Sequence, residues 1–177
     1  MLYLKQCDVL DIEVDALIYS TNVLLNCTGG VGACLVSRYG RKVQAKLHHL
    51  LAASGRRFAK QGEIFDHITL GMPYRRVFHT CPCDGWYDTS TEIVAATLTR
   101  CLQICSADPA IETVAMSALA TGYGHLELDA FVRTAAALSM PADLTVTLAI
   151  DHDLSFAQIV RLAAEENLHA TEAPIFQ

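Results

Sequence analysis

The residues best suited to chemistry lie in two glycine loops, "TGGVGAC" at residues 28–34 and "SALATGYGHLE" at residues 117–127. Each follows an apolar segment and opens onto a helical pattern. Glycine tolerates positive φ and lets another group approach the chain, so such a loop presents peptide N–H groups to an anion. Two of them imply a ligand whose charged, extended middle is held between two backbone clamps, and a pyrophosphate meets that description. The dinucleotide fingerprint is absent: neither loop reads G-x-G-x-x-G, and no acidic residue occurs from Ala16 to Gly62.

That acid-free segment carries Arg38, Arg41, Lys42, Lys46, Arg56, Arg57 and Lys60, although the formal net charge of the chain is −6. The positive run begins just beyond the first glycine loop, where a phosphate would gain from it, while the net charge disfavours general nucleic-acid binding. Cysteines number 7 and lie mostly inside apolar patterns, as expected of free thiols in a reducing cytosol. Cys81 and Cys83 make only a C-P-C, and Cys101 with Cys105 lacks a second pair at ligand spacing, so no metal site is expected.

The elements that must position the loops are legible as an alternation. Branched apolar runs mark strands at Leu2 to Leu4, Ala16 to Tyr19, Glu63 to Ile68, Arg76 to His79, Thr113 to Met116 and Leu144 to Ile150. Between them lie helical patterns. Thr89 with Glu92 reads as a capping box ahead of Val94, Leu98, Cys101, Leu102 and Cys105, closed by Asp108-Pro109. Leu128, Phe131, Val132, Ala135 and Ala136 form a second face, closed by Met140-Pro141, and Ser155 caps a last helix expected to bury Phe156, Ile159, Val160 and Ala163. The pattern predicts an α/β fold with a mixed, mostly parallel central sheet covered on both faces, as one domain over residues 1–170 with a frayed tail at 171–177. With 52% hydrophobic residues but no apolar run of about 20 residues, a soluble cytoplasmic protein without a membrane segment is expected. In such a sheet the ligand crevice lies beyond the strand carboxyl ends, where both glycine loops fall.

These blocks together resemble the macro domain family. "CDVLDIEVDALIYSTN" is similar to the family's G-D-I followed by V-D-A-I-V-N-A-A-N, and "TGGVGACLVSRYG" to G-G-G-V-x-G-A-I ending in A-G. "QGEI" stands for T-G-E-A, "VFHTCP" for I-H-T-V-G-P, and "SALATGYGHLE" for the second glycine loop. Their order agrees from about Leu2 to Asn167. The resemblance implies a three-layer α/β/α fold that binds ADP-ribose, with no cofactor.

Carried over position by position, the resemblance gives Asp8 the hydrogen bond from the adenine amino group, and Val9 the backbone beside the ring. Asn22 resembles the asparagine that bonds the distal ribose hydroxyls. Gly29, Gly30, Val31 and Gly32 correspond to the first phosphate loop, and Ser117, Ala118, Leu119, Ala120, Thr121, Gly122, Tyr123 and Gly124 to the second. His152 and Phe156 follow the last strand, where the family often supplies an aromatic group against the adenine face; Phe156 fits the helix core pattern as well.

Departures bear on catalysis. Tyr19 replaces the first asparagine, Thr28 the first glycine and Cys7 the glycine before the aspartate. Gly32 stands where many hydrolytic members carry an aspartate that positions water, leaving Asn22 and His125 as the candidate catalytic side chains. The expected function is recognition of ADP-ribose, free or as a terminal modification on protein or nucleic acid, by a monomer. The alternatives are a hydrolase of mono-ADP-ribosyl groups or O-acetyl-ADP-ribose, an ADP-ribose-1''-phosphate phosphatase, and a nucleic-acid binder using the Arg38 to Lys60 patch.

Overall fold

In strand β2 (Ala16–Ser20), Ala16 and Ile18 face one layer while Leu17 and Tyr19 face the other, and all four are fully buried. A strand that is apolar on both faces has to be covered on both. The computed structural model describes residues 1–68, 71–151 and 156–172. In it β2 sits inside a sheet with β1 (Leu2–Gln6), β3 (Glu63–Ile68), β4 (Arg76–Cys81), β5 (Thr113–Ser117), β6 (Thr145–Ile150) and β7 (His169–Glu172). The strand order is β3-β4-β2-β5-β6-β1-β7, with β3 antiparallel to β4 and the other pairings parallel.

Helices α1 (Gly30–Tyr39) and α2 (Lys42–Ala53) lie against one face, where Leu35 and Val43 join Leu17, Tyr19, Val77, Ala115 and Ala149 in one apolar cluster. Helices α3 (Thr91–Ser106), α4 (Leu128–Ala136) and α5 (Phe156–Glu165) lie on the other. There Leu98, Phe131 and Ile159 pack with Ile18, Met116 and Leu148. The architecture is therefore the three-layer α/β/α sandwich expected from the alternation.

One carboxylate ties the strand starts together. Asp15 Oδ2 accepts hydrogen bonds from the amides of Glu112 and Thr113, each 3.0 Å, and from the Thr113 hydroxyl at 2.8 Å, while its own carbonyl accepts the Arg75 amide at 2.7 Å. The entrances of β2, β4 and β5 are thus tied together by one residue, at the opposite ends of the strands from the site.

Several element details differ from expectation. The cap of α3 is Ser90, whose Oγ accepts the Ile93 amide; Thr89 instead donates its hydroxyl to the Pro82 carbonyl at 2.7 Å. Helix α4 stops at Ala136, because the Leu138 amide turns back to the Ala135 carbonyl well before Met140-Pro141. In α5, Ile159, Leu162 and Ala163 are buried but Val160 is exposed, since it falls one residue off the inward stripe. Strand β7 has no counterpart in the sequence reading and runs through Thr171 and Glu172, into the segment assigned to the tail. The Ser155 cap lies outside the described residues. Among the described residues no helix is long and apolar enough to cross a membrane.

Candidate functional site

A cavity of about 750 Å³ opens at the carboxyl ends of the parallel strands. It is walled by Ser20–Asn22 at the end of β2, Pro82–Asp84 after β4, Ser117 and Ala118 at the end of β5, Ala149–Asp151 at the end of β6, and Cys7–Val9 after β1. The glycine loops complete it, through Thr28–Gly32 on one side and Ala120–Gly124 on the other.

The first loop leads straight into α1. Its N-cap is Gly29, which supplies no side-chain acceptor, and the first turn contains no acidic residue. The helix dipole, equivalent to about half an elementary charge, is therefore left for whatever enters the cavity. Gly30 holds φ at +50°, a left-handed conformation that costs an L-residue roughly 1–2 kcal/mol. Gly32 is buried, and a Cβ there would come within 3.1 Å of Cys27 Cα, so even a methyl group would press the Cys27 backbone back by a few tenths of an ångström.

The loop from Asn22 to Thr28 is pinned from within and below. Asn22 Oδ1 accepts the amides of Leu24 and Asn26 at 3.0 and 3.1 Å, and its Nδ2 donates to the Asn26 carbonyl at 3.2 Å. Gln44 of α2 accepts the Cys27 amide at 2.6 Å and donates to the Leu25 carbonyl at 2.7 Å. Tyr19, the substitute for the family's asparagine, is fully buried, with its hydroxyl hydrogen-bonded to His79 Nδ1 and 3.8 Å from Cys27 Sγ. Burial pushes the Tyr19 hydroxyl pKa well above its usual value, so it acts as a neutral prop.

The second loop depends on close approach. The Ala120 amide donates to Ser20 Oγ at 3.1 Å, joining the ends of β5 and β2, and Ala120 itself sits at φ +64°. A Cβ at Gly124 would overlap the Ala120 carbonyl oxygen and stand 2.8 Å from Cys83 Sγ, so only glycine fits. The Tyr123 ring reaches across to the first loop: a Cβ on Gly29 would be 2.5 Å from its Cε2. The two loops thus meet over the cavity through one aromatic side chain.

At the β1 end, Asp8 Oδ1 accepts the Leu10 amide at 2.9 Å, which starts a short 3-10 turn over Val9–Asp11. Its Oδ2 accepts Arg38 Nη2 at 2.8 Å, and Arg38 Nη1 also binds Asp11 Oδ1 and the Leu10 carbonyl. Arg56 likewise pairs with Glu63. The positive run read from the sequence is therefore partly neutralised by carboxylates from outside the run.

Asp8, Val9, Asn22, Gly29, Gly30, Val31, Gly32, Ser117, Ala118, Ala120, Thr121, Gly122, Tyr123 and Gly124 all line the cavity. Leu119 does not: in the turn just beyond β5 it is fully buried in the core among Met116 and Phe131. His125 is not in the lining either; it is 67% exposed, with Nδ1 2.7 Å from Asp88 Oδ1. His152 lies outside the described residues. The wall after β4, including Cys83, Asp84 and Tyr87, was missed; the clue was available, because β4 neighbours β2 and crevices form beyond strand ends. Burial and nearby acids push the Cys83 thiol up to about 11, so it forms a neutral wall. Among the described residues no group of three or more His, Cys, Asp or Glu could hold a metal ion.

A mostly parallel sheet with helices on both faces and a loop-built crevice at its carboxyl ends defines an α/β/α domain that takes its ligand between strand tips. The chain belongs to the macro domain family, whose model, "Macro domain", matches residues 18–135. No curated protein matches it in sequence. Similar solved structures include an Oceanobacillus iheyensis macrodomain with ADP, at TM-score 0.75 and 15% identity over 92% of this chain and 87% of that one. The macrodomain of Thermus aquaticus DarG has TM-score 0.64 and 20% identity over 85% and 98% of the two chains. A Trypanosoma brucei macrodomain in complex with ADP-ribose has TM-score 0.69 and 16% identity over 93% and 68%.

Proposed function

We propose that this chain binds ADP-ribose, either free or as the terminal group on a modified protein or nucleic acid. The observation that carries this reading is the uncapped start of α1 at Gly29 and Gly30, facing a second backbone loop across one cavity, with Tyr123 spanning both. Peptide amides on two sides suit a diphosphate, whose charge is spread over several oxygens. The cavity of about 750 Å³ lies within the range of about 300–1,000 Å³ typical of small-molecule sites. Relatives of the same fold are described with ADP or ADP-ribose. On this reading Asp8 and Val9 receive the adenine, the two glycine loops the diphosphate, and Asn22 with Tyr123 the distal ribose.

Binding is favoured over turnover by the first turn of α1, which holds no acidic residue. A general base must come within hydrogen-bonding reach of the attacking water. The exposed Asp88 and His125 pair stands outside the cavity lining. The proposed setting is the reducing cytosol, a reading supported by seven free cysteines, and the proposed working form is a monomer.

Calorimetry with ADP-ribose, ADP and AMP tests the proposal. Affinity should fall when the distal ribose is removed, and equal affinity for all three would count against it. Incubation with an ADP-ribosylated protein, O-acetyl-ADP-ribose and ADP-ribose-1''-phosphate tests turnover. Release of ADP-ribose from any of them at catalytic enzyme concentration would replace the binding reading with a hydrolytic one.

A further inference from the structure

The cavity mouth carries three exposed aromatic side chains. Tyr87 and Tyr123 belong to its lining, with ring centroids 6.2 Å apart, and Trp86 stands beside them at 80% exposure. The loop that holds Trp86 outward is braced. Asp84 Oδ1 accepts the amides of Trp86 and Asp88 at 2.8 and 3.0 Å, Gln61 donates to the Asp88 carbonyl at 2.8 Å, and the His125 amide donates to the Tyr87 carbonyl at 3.3 Å. Exposed aromatic surface next to a ligand crevice marks an interaction site rather than packing.

The two segments that build it are acidic in sequence, and Asp88 also holds His125 Nδ1 at 2.7 Å. Residues 82–92 and 121–129 supply Asp84, Asp88, Glu92, Glu127 and Asp129 without a single Lys or Arg. A phosphate backbone would be repelled there, whereas an ammonium or guanidinium group is attracted both by the carboxylates and by the face of an indole ring. The location fits the far end of the ligand. In the sheet order, β4, which leads to Trp86, is four positions from β1, which leads to Asp8. At about 4.8 Å per strand that is about 19 Å, the scale of an extended nucleotide sugar. With the base held at Asp8, whatever is attached to the distal ribose leaves the cavity beside Trp86.

We propose that Trp86, Tyr87 and Tyr123, with Asp84 and Asp88, form a docking surface for a basic polypeptide segment flanking the ADP-ribosylated residue. This inference rests on the ADP-ribose reading above and names the class of target that site prefers.

The test uses the whole chain, synthetic peptides carrying one ADP-ribose between Lys and Arg or between Asp and Glu, a singly ADP-ribosylated oligonucleotide, and free ADP-ribose. Calorimetry should give the basic peptide an advantage of about tenfold over free ADP-ribose and over the acidic peptide. That advantage should shrink with salt and disappear in Trp86→Ala and Asp88→Asn, while free ADP-ribose binds both variants as it binds the parent. Trp86 is the single tryptophan of the chain, so its emission should respond to the basic peptide and not to the acidic one. Equal affinity for both peptides, or a preference for the oligonucleotide that Trp86→Ala removes, overturns the docking surface and leaves ADP-ribose binding standing. Failure of free ADP-ribose to bind the parent overturns the ligand reading itself.

Discussion

Arg38 donates to Asp8 across 2.8 Å, so the carboxylate at the β1 end of the crevice already has a cationic partner within the protein. The Leu10 amide holds its other oxygen at 2.9 Å. A carboxylate has about four lone-pair sites, and two remain for a base amino group. Replacing Asp8 with Ala should weaken ADP-ribose binding by about 1.5–3 kcal/mol, as for a hydrogen bond to a charged group, and reduce the preference for adenine over hypoxanthine. Arg38→Ala should behave differently. The pair with Asp8 is one third exposed on each side and contributes under about 1 kcal/mol of stability; the variant also loses the Asp11 and Leu10 carbonyl bonds, but the Leu10 amide keeps Asp8 in place. Calorimetry on both variants decides the matter: a larger affinity loss for Arg38→Ala than for Asp8→Ala means that Arg38, not Asp8, meets the base.

Asp15 predicts an acid-sensitive fold. Burial acts to raise its pKa, but the Thr113 hydroxyl, the amides of Glu112 and Thr113, and Arg75 outweigh it and hold the carboxyl below its usual value. A depressed carboxylate contributes stability that is present above its unfolded pKa of about 3.9 and lost as pH falls through the lower folded value. Asp15→Ala leaves two amides and a hydroxyl without their acceptor, a cost of about 1–3 kcal/mol at neutral pH. Urea melts at pH 7 and at falling pH should show the variant less stable at neutrality, with the gap closing in acid. A gap that stays constant with pH would separate the role of Asp15 from its charge.

Most of the fold could be read from residues whose side chains declare their surroundings. Leu17 and Tyr19 alternate with Ala16 and Ile18 because β2 is covered on both faces, and branched runs of that kind mark six of the seven strands. β7 reads His169-Ala170-Thr171-Glu172 and pairs with β1 alone, so its strand character comes from a tertiary neighbour rather than from its own composition. The glycine loops were legible because their backbone demands select glycine. The Arg38 to Asp8 pair spans 30 residues of sequence, and the aromatic wall after β4 has no glycine signature, so both needed the sheet order to appear.

The glycines themselves supply a graded test. Gly124→Ala forces a Cβ onto the Ala120 carbonyl, and overpacking of this kind costs about 1–3 kcal/mol. Loop 117–124 should shift and ADP-ribose affinity should fall. Gly30→Val adds a branched side chain at φ +50°, strained by about 1–2 kcal/mol, and its side chain enters open space at the cavity wall. Binding should again be lost while the sheet persists. Gly122→Ala is the control, since a Cβ there meets nothing within 4 Å, and its thermal midpoint should match the parent. Parent-like binding by Gly30→Val would mean that the diphosphate lies elsewhere.

Thiol accessibility tests the cavity walls directly. Cys34 is exposed on α1, whereas the other six cysteines are buried. Burial pushes the Cys83 thiol up to about 11 and those of Cys81 and Cys105 up to about 12, and it raises Cys7, Cys27 and Cys101 as well. Because the thiolate is the reactive form, a buried thiol of this kind is slow twice over, in access and in ionisation. Iodoacetamide at mildly alkaline pH should therefore place one adduct per native chain, at Cys34, and seven after denaturation, as read by peptide mapping. Cys7 and Cys83 line the cavity, so any slower second adduct should fall on them and be suppressed by saturating ADP-ribose, while Cys34 reacts at its former rate. If Cys83 reacts as fast as Cys34 and ADP-ribose gives it no protection, the wall after β4 is open to solvent and does not close on the ligand.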